Sequence, residues 1–294
     1  MKEISFSDIC SFFPKRKDDA HKGDFGRLLC ITGSLRMPGA AAMASYAALR
    51  SGVGLLTTAT AEKNISAISS HCFESMYLPL RTDENGFITW SGNEEILTEL
   101  VEKSDAVLIG CGLGITKETI ILTKNIIKRT KGVLIIDADG LNAVSNDIDI
   151  ILKRKENTIL TPHPGEMARI LNTNIQKVQH DREYTIHSAM KLLPEAVIIL
   201  KGHETIVGCK EGVYINPTGN PGMSRGGSGD VLAGMVASFA AQGLKPINAA
   251  IAGVYIHGMA GDIAANKYSQ SAMLPRDIIE CIPEVFKKIE ESRK

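Results

Sequence analysis

Short, wholly apolar runs recur along this chain, and each closes on a glycine, an aspartate or another small or polar residue. Segments 27–32 (RLLCIT), 106–109 (AVLI), 133–137 (VLIID) and 196–201 (AVIILK) show no apolar–polar alternation, and 55–60 and 159–161 are similar short candidates. A strand with one wet face alternates; a strand without alternation is covered on both faces, as in a parallel sheet between helices. Stretches of helical length lie between the runs, at 40–51, 118–128, 229–242 and 248–265. This order predicts an α/β fold with a central, mostly parallel sheet flanked by helices on both faces. No low-complexity linker or internal repeat interrupts it, so one domain is expected over 1–294. An irregular N-terminal arm is expected at 1–22 and a polar helix at 276–294.

Charge and cysteine usage narrow the function classes. The 294 residues carry 33 Lys+Arg and 33 Asp+Glu, a net charge of zero, which excludes strong long-range attraction to nucleic acid or an anionic membrane. No apolar run reaches the roughly 20 residues a membrane-spanning helix needs, and the first residues lack a signal-peptide pattern. The 6 cysteines are scattered, with no Cys-x-x-Cys pair. A reduced, cytoplasmic protein acting on small molecules is expected, with no nucleic-acid or membrane partner.

In open α/β sheets ligands bind beyond the carboxyl ends of the strands. Here those ends carry Gly33-Ser34, Gly110-Cys111-Gly112, Asp137-Ala138-Asp139-Gly140, Pro162-His163-Pro164-Gly165-Glu166 and Lys201-Gly202. The strongest feature is Ser224-Arg225-Gly226-Gly227-Ser228-Gly229-Asp230 ahead of an Ala-rich helix. Glycines let backbone N–H groups converge, and the helix start adds positive potential, which makes an anion hole at Gly227, Ser228 and Gly229 for a phosphoryl group. It is not a Walker loop, because no Gly-Lys-Ser/Thr follows. A carboxylate in such a loop opposes phosphate binding, so Asp230 reads as a base that takes a proton from an attacking hydroxyl; helix capping is its simpler role. Lys201 leaves a buried strand where a nucleotide phosphate would lie, or else snorkels to water. His163, between two prolines, is either a ligand contact or a turn residue bonded to backbone. Glu166 would orient His163, hold a magnesium-bound water, or simply favour the helix start. Asp137, Asp139 and Asn142 form a candidate magnesium cluster, with Asp139 alternatively an N-cap. Tyr46, Tyr255 and His257 read as packing residues.

At these residues the chain resembles the ADP/ATP-dependent NAD(P)H-hydrate dehydratases of the ribokinase-like superfamily. The resemblance runs through His21–Gly26, Gly33–Ala41, Arg50–Gly54, Gly110–Gly114, Asp137–Asn142, Thr161–Glu166, Lys201–Thr205, Asn216–Asn220 and Gly226–Asp230, nearly the whole chain in family order. The Gly-Gly-Ser-Gly-Asp loop alone fits many ribokinase-like kinases; the joint presence of Thr-Pro-His-Pro-Gly-Glu and the Lys-Gly-Asp-x-Gly segment at 22–26 is far more specific. The resemblance implies repair of hydrated NADH and NADPH (NADHX and NADPHX), with ADP driving loss of water to give AMP, phosphate and the reduced cofactor. ATP is the alternative donor, and magnesium accompanies the nucleotide.

Position by position, the resemblance implies that Ala40, Gly112, His163 and Asp230 bind the hydrate. It implies that Lys201, Gly202, His203, Glu204, Thr205 and Gly229 bind the nucleotide, with Asp230 catalytic; Asp137 and Glu166 are the candidate metal ligands. It also implies a homotetramer, and an epimerase on a separate chain. Ser224, Arg225 and Gly140 depart from the usual family residues, and Arg225 would add a phosphate contact. The alternatives are a ribokinase-like kinase of a thiamin-precursor alcohol, or a nucleotide-sensing protein without turnover.

Overall fold

Residues 1–154 and 157–293 are described by a computed structural model. Its strands are β1 (Lys2–Glu3), β2 (Arg27–Ile31), β3 (Leu55–Ala61), β4 (Met76–Leu80), β5 (Ala106–Ile109), β6 (Val133–Ile136), β7 (Thr158–Leu160), β8 (Ala196–Leu200), β9 (Ile206–Cys209) and β10 (Gly212–Ile215). They form one sheet in the order β1-β10-β9-β8-β7-β6-β5-β2-β3-β4. All pairings from β8 to β4 are parallel, while β9 runs antiparallel to both β8 and β10.

The unalternating runs have a direct cause. In β2, Leu28 and Cys30 enter one core, whereas Leu29 and Ile31 enter the other. Leu108 and Val107 of β5, and Ile199 and Ile198 of β8, divide the same way. Successive side chains on a strand point to opposite faces, so two buried faces demand apolar residues at every position. One core lies under the helices Pro38–Arg50, Ser228–Ala241, Pro246–Tyr268 and Pro275–Glu291. The other lies under Glu94–Lys103, Lys117–Arg129, Ala138–Val144, Pro164–Ile170 and Arg182–Leu192.

Both ends of the chain differ from expectation. The arm is not irregular: β1 pairs parallel with β10, and the helix Phe6–Phe12 follows, capped by Ser5, with Ile4 and Ile9 fully buried. β1 buries nothing, the short helix buries only Ile9, and Ile4 lies between them, so there is no readable period. The C-terminal helix, Pro275–Glu291, is two-faced rather than polar, burying Ile278, Ile279, Ile282, Val285 and Ile289. Its overall polarity averages a wet face with one that closes the core. Lys294, the end of the expected helix, lies outside the described residues.

The helices Pro38–Arg50 and Ser228–Ala241 pack closely because Gly234 lets them: a Cβ there would lie 2.1 Å from the Ala44 carbonyl oxygen. Helix propensity favours Gly234→Ala by about 1 kcal/mol, yet this contact reverses the sign, and a net loss of about 1–3 kcal/mol is expected. Urea unfolding monitored by circular dichroism measures it.

Candidate active site

The carboxyl ends of β6, β7, β8 and β10 and the start of the helix Ser228–Ala241 enclose a cavity of about 690 Å³. At its base lies a buried ion pair, with Lys201 Nζ 2.7 Å from Asp137 Oδ1. The same oxygen accepts the Thr161 hydroxyl at 2.5 Å, and Asp137 Oδ2 accepts the Cys111 thiol at 3.4 Å. Glu166 Oε2 stands 3.9 Å from Lys201 Nζ. Burial works against the Lys201 charge, but Asp137 and Glu166 outweigh it and hold the ammonium above its ordinary pKa.

Asp230 is the third residue of its helix, whose N-cap is Gly227 at φ 102, so the capping role is not its own. Burial, reinforced by the nearby charge of Asp137, raises the Asp230 carboxyl to about 6. Gly229 lies beside Lys201, where a Cβ would stand 3.4 Å from Nζ, an ordinary contact distance. The Ser228 amide turns back to the Arg225 carbonyl at 3.2 Å, while the buried Ser228 hydroxyl has no hydrogen-bond partner among the described residues. Arg225 lines the cavity and donates to the Ser271 carbonyl.

His163 combines both of its expected roles. It lines the cavity, and as N-cap of Pro164–Ile170 its Nδ1 accepts the Gly165 N–H at 2.9 Å, which puts the neutral ring's proton on Nε2. Glu166 completes this capping box, accepting the His163 N–H at 2.8 Å, with its other oxygen 3.3 Å from His163 Nε2. Burial lifts Glu166 to about 7, and burial together with Lys201 lowers His163.

The hairpin loop between β8 and β9 brings Gly202, His203, Glu204 and Thr205 to the cavity beside Lys201. Arg182 supports it from behind, donating to the carbonyls of Leu200 at 2.9 Å and Lys201 at 3.2 Å. Two lining residues other than glycine hold positive φ, Ala138 at 47 and Glu204 at 52, a strain typical of functional sites. Neither Arg182 nor this strain leaves a mark in the sequence. Ala40 and Gly112 fall outside the cavity lining and touch each other; a Cβ on Gly112, at φ 66, would lie 2.6 Å from Ala40 Cβ. Asp139 accepts the Gly114 N–H at 2.7 Å and Asn142 accepts from Arg169 at 2.8 Å, so the strand-end cluster disperses, and the position before the helix belongs to Asp137. Tyr46 and Tyr255 pack as expected, but His257 stands in the cavity wall.

Cys111, Asp137 and Asp230 bring possible ligand atoms within 4.8 Å of one another. They do not fit a magnesium cage. The ion prefers oxygens, the Cys111 thiol is held protonated by burial and by both carboxylates, and Asp137 is committed to Lys201 and Thr161. Glu166 is similarly engaged with His163.

The chain matches the NAD(P)H-hydrate dehydratase family over residues 28–284. It belongs to that family. It is 40% identical over 284 residues to the bifunctional NAD(P)H-hydrate repair enzyme Nnr of Moorella thermoacetica, covering 96% of this chain and 53% of that protein. It thus spans about half the length of the bifunctional relatives it matches. It is 33% identical over 294 residues to the ADP-dependent (S)-NAD(P)H-hydrate dehydratase of Listeria monocytogenes, covering 99% of each. It also resembles the ADP/ATP-dependent NAD(P)H-hydrate dehydratase of Bacillus subtilis co-crystallised with ATP and Mg²⁺, with TM-score 0.82, 28% identity and 98% of each chain covered. Hydroxyethylthiazole kinase of Pyrococcus horikoshii, at TM-score 0.62 and 12% identity over 96% of this chain and 92% of that one, shares the fold alone.

The raised Asp230 carboxyl makes a stability prediction. A buried acid whose folded pKa lies above its unfolded value favours folding below the unfolded pKa and loses that contribution as pH rises through the folded one, here about 6. Asp230→Asn removes the penalty of keeping a buried charge, on the order of 2–3 kcal/mol. The ligand-free variant should melt above the wild type at pH 8, and the gap should shrink at pH 5, by differential scanning calorimetry.

Proposed function

We propose that this chain is an ADP-dependent (S)-NAD(P)H-hydrate dehydratase that restores NADH and NADPH from their hydrates. The observation that carries the reading is Asp230. It is a partly buried carboxyl with pKa about 6, set on a glycine-opened helix start beside Lys201. Such a group accepts a proton near neutral pH while the adjacent backbone N–H groups receive a phosphoryl group.

Hydroxide is a poor leaving group, and phosphorylation of the C6 hydroxyl replaces it with a good one. As Asp230 takes the hydroxyl proton, the oxygen bonds to the β-phosphorus of ADP and the bond to AMP breaks. The nicotinamide nitrogen then expels phosphate from C6, and loss of the C5 proton restores the double bond. Gly227 and Gly229 are assigned to the phosphoryl oxygens, since the Ser228 amide is already bonded to Arg225. Lys201 is assigned to the nucleotide phosphates, with Gly202, His203, Glu204 and Thr205 along the nucleotide. His163 is assigned to the hydrate, with Ala40 and Gly112 beyond the cavity's lining residues. Magnesium, homotetramer formation, a cytoplasmic location and cooperation with an epimerase belong to the same proposal. Among the described residues no helix is long and apolar enough to cross a membrane.

Purified protein, magnesium and NADH hydrate, incubated with ADP, ATP or no nucleotide, test the reading by near-ultraviolet absorbance. Recovery of the reduced-nicotinamide band with release of AMP is expected with ADP; phosphate retained on the organic product would point to the kinase alternative. Asp230→Asn should keep ADP binding and lose turnover by about 10²-fold or more, as removal of a general base does. Because the base acts ionised, kcat/KM of the wild type should climb with pH through about 6.

A further inference from the structure

Arg182 stands where a cation is disfavoured. It is the first residue of the helix Arg182–Leu192, and the positive end of the helix dipole opposes its charge. It is half-buried, and burial lowers its pKa. Its hydrogen bonds go to backbone carbonyls rather than to a carboxylate.

The guanidinium grips the end of β8 as a fork. Nη2 donates to the Leu200 carbonyl at 2.9 Å and Nη1 to the Lys201 carbonyl at 3.2 Å. Gly202, at φ 140, leaves room for it: a Cβ there would lie 2.8 Å from Arg182 Nη1. The Lys201 amide is fixed as well, donating to the Pro162 carbonyl at 2.9 Å. Lys201 is therefore held through both of its backbone polar groups while its side chain reaches Asp137. Beyond it the loop closes on itself, with the Thr205 hydroxyl donating to the Gly202 carbonyl at 2.9 Å. Glu204, at φ 52 in the same loop, is the acid whose charge favours the guanidinium.

Arg182 lies outside the cavity's lining residues, whereas Lys201 and residues 202–205 are among them. His163 enters the cavity from the start of the helix Pro164–Ile170, and Asp230 from the helix Ser228–Ala241. One planar fork thus sets the loop assigned to the nucleotide, while other elements carry the groups assigned to the hydrate. Holding a binding loop in its bound conformation raises affinity by removing the ordering cost.

We propose that Arg182 is a positioning residue for the nucleotide co-substrate, its fork holding the Leu200 and Lys201 carbonyls so that residues 202–205 stand preformed against the cavity. This rests on the nucleotide-binding reading above. Isothermal titration of the whole protein with ADP, and separately with NADH hydrate, tests it without requiring turnover. Arg182→Ala should weaken ADP about tenfold, the worth of one charge-assisted hydrogen bond, and leave hydrate affinity unchanged. Free guanidinium at a non-denaturing concentration should restore part of the ADP affinity of that variant. Arg182→Lys, which keeps the charge but not the planar fork and serves if the alanine variant fails to fold, should lose ADP affinity nearly as far. In the absorbance assay the KM for ADP should rise while the KM for the hydrate holds. Arg154 supplies the contrast, since it too donates to carbonyls, those of Ile127 at 3.0 Å and Gly132 at 3.1 Å, away from the cavity lining. Arg154→Ala should lower the melting temperature and leave ADP affinity unchanged. ADP and hydrate affinities that fall together, no rescue by guanidinium, or an equal ADP loss in Arg154→Ala would overturn the assignment. A wild-type protein that binds no ADP overturns both readings, whereas ADP binding indifferent to Arg182 overturns this one alone.

Discussion

The ion pair between Lys201 and Asp137 joins the ends of β8 and β6, and the rest of the site is arranged around it. Lys201 Nζ, held 2.7 Å from Asp137 Oδ1, keeps its charge because two carboxylates face it. Removing one partner of such a pair strands a buried charge and typically costs about 3–5 kcal/mol. The neighbours follow from this need for compensation. Thr161 and Cys111 donate to Asp137, Glu166 approaches the ammonium, and Gly229 lies alongside it.

Around that pair, the carboxyl groups meet different surroundings. Asp137 is surrounded by donors; Asp230, a short distance away, is dominated by burial and by the Asp137 charge, and rises to about 6. Glu166 serves its own helix start while its side chain, nearly sealed from water, rises to about 7. Asp137 is thus occupied by Lys201 and Thr161, while burial keeps Asp230 and Glu166 above the ordinary carboxyl range.

The central strands were readable to within a residue or two, since burial on both faces writes apolar residues at every position, as the alternation of Leu28, Leu29, Cys30 and Ile31 between the two cores demonstrates. The ends of the chain were not. Ile9 enters the core from a helix too short to show a period and Ile4 from the link before it, and the helix Pro275–Glu291 hides a buried face within a polar average. In the site, Asp230 stood out because a carboxylate in an anion-binding glycine loop is chemically odd, and Lys201 because it leaves a buried strand next to a glycine. His257 lay inside an Ala- and Gly-rich helical stretch, where a histidine looks like packing, and nothing local reports that its Nε2 is unpartnered.

The sequence alone determined the layered α/β architecture, the sheet edge along which the cavity lies, and the glycine-opened helix start, because each is a local pattern of burial or backbone freedom. Only the tertiary structure decided which strand-end groups share a cavity. It set Asp137 on Lys201, dispersed Asp139 and Asn142 to other partners, put Ala40 and Gly112 beyond the lining, and brought His257 into the wall. Those outcomes depend on contacts between residues far apart in the chain, where direction and desolvation, rather than residue type, settle what each group can do.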